Sequence, residues 1–143
     1  MAKRNTTYVR IIKNDFPALR RKAPEKADAA LRALSEEGRS IAIESIENSP
    51  ASGRSYTRGS VVHVASSPGN PPRTDIGTLV NSIFAQRVKA FIHRIAVGAE
   101  HGIYQEFGVE ENGLEARPFM GPMARELEKL IPKFFKNFLE DEV

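Results

Sequence analysis

Phe84-Ala85-Gln86-Arg87-Val88-Lys89-Ala90-Phe91-Ile92-His93-Arg94-Ile95-Ala96-Val97-Gly98 is the stretch that decides the fold. Phe84, Gln86 and Val88 alternate with Ala85 and Arg87, and Phe91, His93, Ile95 and Val97 alternate with Ile92, Arg94 and Ala96. A period of two marks extended chain with one face on a core. Lys89-Ala90 reads as the turn of an antiparallel hairpin, and Gly98 ends its second strand. Upstream, Thr74 or Asp75 is expected to cap a short helix carrying Leu79, Val80 and Ile83. Downstream, residues 101–107 read as a short helix closing at Gly108. A polar, acidic loop follows at 109–116, with Glu110, Glu111, Asn112, Gly113 and Glu115.

Two longer helical patterns lie outside this centre. Pro24 suits a helix's first turn, where its missing N–H has no intrahelical partner to lose. From there apolar residues fall at Ala27, Leu31, Leu34, Ile41 and Ala42, Ser45 continues the face, and Gly38 interrupts it. Asn48-Ser49-Pro50 stops the pattern, which predicts one helix of about six turns. Near the C-terminus Met123, Leu127, Leu130, Ile131, Phe134, Phe135 and Phe138 predict a second amphipathic helix with Pro122 in its first turn. Pro132 lies inside it, so a kink or break near Leu130 is expected. The acidic end, Glu140-Asp141-Glu142, opposes the helix dipole. Helices and a hairpin in this order predict an α+β domain spanning 1–143, with both long helices packed on a small antiparallel sheet.

Residues 49–74 differ in kind. Four Pro, three Gly and six Ser lie between Ser49 and Arg73. Arg54-Ser55-Tyr56-Thr57 and Val61-Val62-His63-Val64 flank Arg58-Gly59-Ser60 as a small hairpin, and the run through Pro68, Pro71 and Pro72 is extended and turn-prone. The stretch reads as a protruding arm. Residues 1–14 carry no period and read as a flexible, clip-like arm, with Phe16, Leu19 and Ala23 opening an amphipathic stretch behind it.

At 143 residues, 41% hydrophobic and 27% charged, the chain has apolar material for one packed core. No apolar run has the length of a membrane span, and the N-terminal residues lack a signal-peptide pattern. The absence of Cys excludes disulfides, thiolate zinc sites and cysteine nucleophiles, and suits a reducing cytoplasm. Net charge is +6 over residues 1–73 and −3 over residues 74–143. Such asymmetry points to two faces that meet different partners.

Motifs for catalysis are missing: no phosphate loop, dinucleotide fingerprint, HExxH or GxSxG occurs. The chain is therefore expected not to be an enzyme and to take no cofactor or metal. His93 reads as a packed residue of the apolar strand face, and His63 carries no ligand pattern. His101 with Glu100 and Glu106 is a poor cation set, lacking a fourth ligand. Glu110-Glu111 reads as a solvated pair. Arg20-Arg21-Lys22 is the densest basic cluster, while Arg54, Arg58 and Arg73 punctuate the arm with Tyr56 as their only aromatic neighbour. Nucleic acid is one candidate partner for these groups; a plain basic surface, or an interface with acidic residues of a neighbouring subunit, is the favoured reading. Phe107 and Phe119 are expected to close the core beneath the last helix. Arg117 is expected to face an acid, Glu106 or one of a neighbouring subunit.

The ordered set Gly53-Arg54-x-Tyr56-x-Arg58-Gly59, Ser66-Ser67-Pro68-Gly69-Asn70-Pro71-Pro72 and Thr74-Asp75-Ile76-Gly77-x-Leu79-x-x-Ser82-Ile83 resembles the signature of a siphophage neck, or head–tail connector, family. Val97-Gly98, Tyr104, Glu106-Phe107-Gly108 and Ala116-Arg117-Pro118-Phe119-Met120-x-Pro122 resemble the same family's second block. The similarity runs from Gly53 to Ala124; Ile76 and Val109 stand where the pattern has Thr, and Gly121 where a basic residue is common.

The resemblance implies a structural virion protein of a long-tailed bacteriophage, assembled in the host cytoplasm. Its subunits would form a homo-oligomeric ring, a hexamer, in the neck. A head-closure or adaptor protein would lie on one side and the tail tube or tail-terminator protein on the other. DNA would pass through the lumen without sequence-specific binding. A tail-terminator ring and a nucleic-acid-binding accessory protein are the alternative readings. The interface candidates are Arg54, Tyr56, Arg58, Pro68, Pro71, Pro72, Arg73, Asp75, Tyr104, Glu106, Phe107, Arg117 and Phe119.

Overall fold

The computed structural model describes residues 8–9 and 24–140. The cluster Arg20-Arg21-Lys22, the Phe16–Leu19 pattern and Asp141-Glu142 lie outside them. The elements are β1 (Tyr8–Val9), α1 (Pro24–Glu47), β2 (Ser55–Arg58), β3 (Val61–Val64), α2 (Thr78–Asn81), β4 (Ile83–Lys89), β5 (Ile92–Val97), α3 (His101–Phe107) and α4 (Met120–Glu140). A 3-10 turn, Glu110–Asn112, precedes α4. The fold is α+β: helices plus two small antiparallel sheets, ordered β1-β5-β4 and β2-β3.

Ile83 pairs with Val97, Ala85 with Ile95 and Arg87 with His93, so these six side chains share the face turned to α1. The other face carries Phe84 and Gln86 opposite Ala96 and Arg94, and there the Arg94 guanidinium donates to Gln86 Oε1. Between Arg87 and Lys89 the register slips by one residue. That irregularity moves the turn from Lys89-Ala90 to Ala90-Phe91, and Phe91 leaves the strand to adopt φ of 62°. On the far edge of β5, Tyr8 and Val9 pair with Ala96 and Ile95, so part of the N-terminal stretch is a sheet strand rather than a free arm. Two residues are too few to show a period, which is why the sequence carries no sign of it.

Helix α1 lies against both the sheet and α4. Its buried line is Ala27, Leu34, Ser35, Gly38, Ala42 and Ile46. Gly38 is the closest point of this packing and no gap in the stripe. A Cβ there would run into Ile95 Cδ1 and stand 2.7 Å from Leu127 Cδ2 and 3.2 Å from Met123 Sδ. Glycine here lets sheet and helix approach α1 together; a larger residue would have to push these side-chain ends aside. The core is closed by Leu34, Ile46, Ile83, Ile95, Val97, Phe119, Met120, Met123 and Leu127. Arg39 ties α1 to the sheet by donating to the Ile83 carbonyl at 2.9 Å. Helix α4 begins at Met120, earlier than the apolar pattern shows, and continues through Pro132 without a break.

Candidate interaction surface

Asp75 was expected at a helix cap; instead Gly77, left-handed with φ of 81°, leads into α2. The Asp75 carboxylate serves the β2–β3 hairpin. Registers Tyr56–His63 and Arg58–Val61 put these four side chains on one face of the hairpin. There Arg58 Nη2 lies 2.8 Å from Asp75 Oδ1, the Tyr56 hydroxyl donates to Oδ2 at 3.3 Å, and His63 Nδ1 lies 3.6 Å from Oδ1. The Tyr56 and His63 rings meet at 5.1 Å between centroids, tilted by 51°. Partial burial, and then the Asp75 charge, raise the Tyr56 phenol above its ordinary value.

Residues 49–74 are closed by bonds of their own and tied to the 116–117 segment at Ser66 and Gly69. The Ser49 hydroxyl donates to the Pro71 carbonyl, Gly53 N–H to Ala65 and Gly69 N–H to Ala116. Arg117 Nε donates to the Ser66 carbonyl at 3.1 Å and Nη1 to that of Glu115 at 3.3 Å. Arg117 thus fastens the arm through backbone acceptors, and Glu106 is not its partner. Pro68 is exposed, Pro71 half-buried and Pro72 buried, while Arg54 and Arg73 are exposed.

Glu106 has a different task. It is buried on α3, and its Oε2 accepts the N–H groups of Phe119 at 2.8 Å and Met120 at 2.9 Å. Its Oε1 accepts that of Gly121 at 2.8 Å. A carboxylate from another element thus satisfies three amides at the start of α4 and complements the positive end of that helix's dipole. Phe119, 1% exposed, is anchored in the core beside it. Gly108, with φ of 72°, turns the chain after α3; a Cβ there would stand 2.5 Å from the Leu114 carbonyl oxygen. Phe107 does not close the core. It is 68% exposed, because Gly108 ends α3 with this ring on the outer side, and Tyr104 one turn earlier is 53% exposed.

The sequence reading missed one cluster. Asp28 of α1 accepts Arg87 Nε at 2.6 Å and the Phe91 N–H at 2.9 Å, and its Oδ1 lies 3.2 Å from His93 Nε2. Burial pushes the Asp28 carboxyl up, but the bonds from Phe91, Arg87 and His93 outweigh it and hold it below its ordinary value. The cluster clamps the β4–β5 turn, with its left-handed Phe91, to α1. Asp28 is half-buried beside Ala27 on α1, and only the pairing of β4 with β5 brings its partners together.

Among the described residues no three His, Asp or Glu side chains gather as a cation site, and no helix is long and apolar enough to cross a membrane. Of the exposed large apolar residues, Tyr56, Val61, Val62 and Ile76 belong to the arm and its return, Phe84 and Val88 to β4, and Tyr104 and Phe107 to α3. Comparison with known proteins finds no matching family model, no matching curated protein and no matching solved structure.

Proposed function

We propose that this chain is a structural virion protein of a long-tailed bacteriophage, a subunit of an oligomeric neck ring joining the head connector to the tail. The observation that carries this reading is the ordered set of motifs between Gly53 and Ala124 and its resemblance to the neck family. The two motif blocks also bind each other: Arg117 holds Ser66, and Ala116 accepts Gly69. Glu106, from the second block, secures the start of α4. These residues build a support for the arm and for the start of α4. Exposed Phe107, Tyr104, Ile76 and Val62 supply apolar area for contacts between subunits. A head-to-tail contact of this kind closes into a ring when its rotation permits.

Antibody raised against the chain should decorate the head–tail junction of the particles, and particles made without the protein should separate into filled heads and free tails. Decoration elsewhere, or intact particles in the protein's absence, would overturn the proposal.

A further inference from the structure

Between the arm, α3 and the 113–117 segment runs a cleft of about 480 Å³, which shares Tyr56, Pro72, Arg73 and Gln105 as walls with a smaller one of about 230 Å³ beside α2. Three guanidinium groups line the larger cleft, those of Arg54, Arg73 and Arg117, against the single carboxylate of Glu115. None of the three is ion-paired to a described residue. Arg73 donates to the Val64 carbonyl and Arg117 to those of Ser66 and Glu115, while the Arg54 guanidinium has no partner among the described residues. Arg58, by contrast, is neutralised by Asp75. Cations gathered in a recess with low-dielectric walls focus a positive field on whatever enters it.

A second observation falls on the same seam. Among the described residues, the buried side-chain polar atoms without a partner are Ser66 Oγ, Thr74 Oγ1 and Gln105 Oε1. Ser66 and Gln105 line the larger cleft, and Thr74 and Gln105 the smaller. Buried polar atoms are seldom left unpaired, so orphans confined to one seam mark where a polar group from outside belongs. Gln105 Oε1 is an acceptor and requires a donor, which meets it once the side chain turns out into the cleft that the residue lines. A phosphodiester backbone offers only acceptors, whereas a peptide brings N–H groups together with its acidic side chains.

We propose that this seam binds an acidic peptide segment of a partner protein, its carboxylates on Arg54, Arg73 and Arg117 and its backbone N–H at Gln105. Planar guanidinium groups suit bidentate capture of carboxylates. The inference does not depend on the ring reading.

The test is anisotropy titration of the full chain with a capped, rhodamine-labelled peptide of alternating glutamate and glycine. Its glutamine counterpart and a single-stranded oligothymidylate of equal charge serve as comparisons. The glutamate peptide should bind saturably, and the glutamine peptide at least about tenfold more weakly, the order expected for lost charge-assisted pairs. Arg54→Ala should weaken binding about tenfold while leaving thermal stability unchanged, since the one bond Arg54 gives the fold, from Ala65 N–H to its carbonyl, is kept by alanine. Arg54→Lys should fall between, and amide shifts on titration should centre on Ser66, Thr74 and Gln105. Absence of saturable binding, equal affinity for the glutamine peptide, or tighter binding of the oligonucleotide would overturn the proposal. So would unchanged affinity in both Arg54→Ala and Arg73→Ala.

Discussion

Between α1, the sheet and α4, side chains such as Leu34, Ile46, Ile95, Phe119 and Leu127 meet with almost no exposure. Residues 49–74, by contrast, are fixed by single hydrogen bonds from Ser49, Gly53, Gly69, Arg58 and Arg117 to carbonyls or to one carboxylate. The first region is held by area removed from water, which is cooperative and insensitive to the fate of any one bond. The second is held by bonds whose individual net contribution is about 1 kcal/mol and which water can replace. A molecule built this way keeps a stable body while its arm stays available to new partners.

The largest test of that contrast is Phe119→Ala. Removing a fully buried ring should cost about 3–5 kcal/mol, read by thermal or denaturant unfolding, and abolish the proposed assembly with the fold. A variant that melts like the parent would mean that α4 is anchored elsewhere. Glu106→Gln comes next. It replaces one acceptor oxygen by a donor facing the α4 amides, and should cost about 1–3 kcal/mol while leaving the sheet intact. Slow amide exchange at Phe119, Met120 and Gly121 should be lost first.

Asp28→Asn sharpens the comparison through pH. The folded carboxyl lies below its unfolded value of 3.8, so its contribution is complete above that pH and is lost as pH falls through the folded value. Parent and variant should therefore differ by a constant melting gap from pH 7 to about 5, which closes below about pH 4. A gap that persists at pH 2 would show that the Asn substitution acts through something other than the lost charge. The smallest effect belongs to the arm. Arg58→Ala breaks a half-exposed ion pair, 49% and 23% exposed at its two ends, and should cost at most about 1 kcal/mol. Asp75→Asn should in addition lower the Tyr56 phenol toward its ordinary value, visible in its ring resonances on alkaline titration.

The same contrast explains what could be read from the sequence. The two long helices, the β4–β5 hairpin, the short α3 and its close at Gly108 all announce themselves, because burial imposes a period of 3.6 or 2 on apolar residues. Features fixed by one residue are silent. Gly38 looks like a fault in a helical stripe until Leu127 and Ile95 converge on it. The one-residue slip before Lys89 changes no hydrophobic pattern, yet it puts Phe91 in the turn and brings its N–H to Asp28. Arg117 and Glu106 were both legible as residues of consequence. Their roles were not, because each bonds to backbone groups, and backbone leaves no letter in the sequence.

Amide hydrogen exchange, measured on the free chain and on the proposed ring assembly, tests the division most directly. Two-stranded hairpins on their own are marginal in water, and the arm's Pro, Ser and Gly offer little apolar area against an ordering cost of about 1–2 kcal/mol per residue. The account predicts slow exchange throughout α1, β4, β5 and α4 in both states, and protection at 49–74 that is weak in the free chain and rises on assembly. Equal, strong protection of 49–74 in the free chain would contradict it, because the arm would then belong to the same cooperative core as the body.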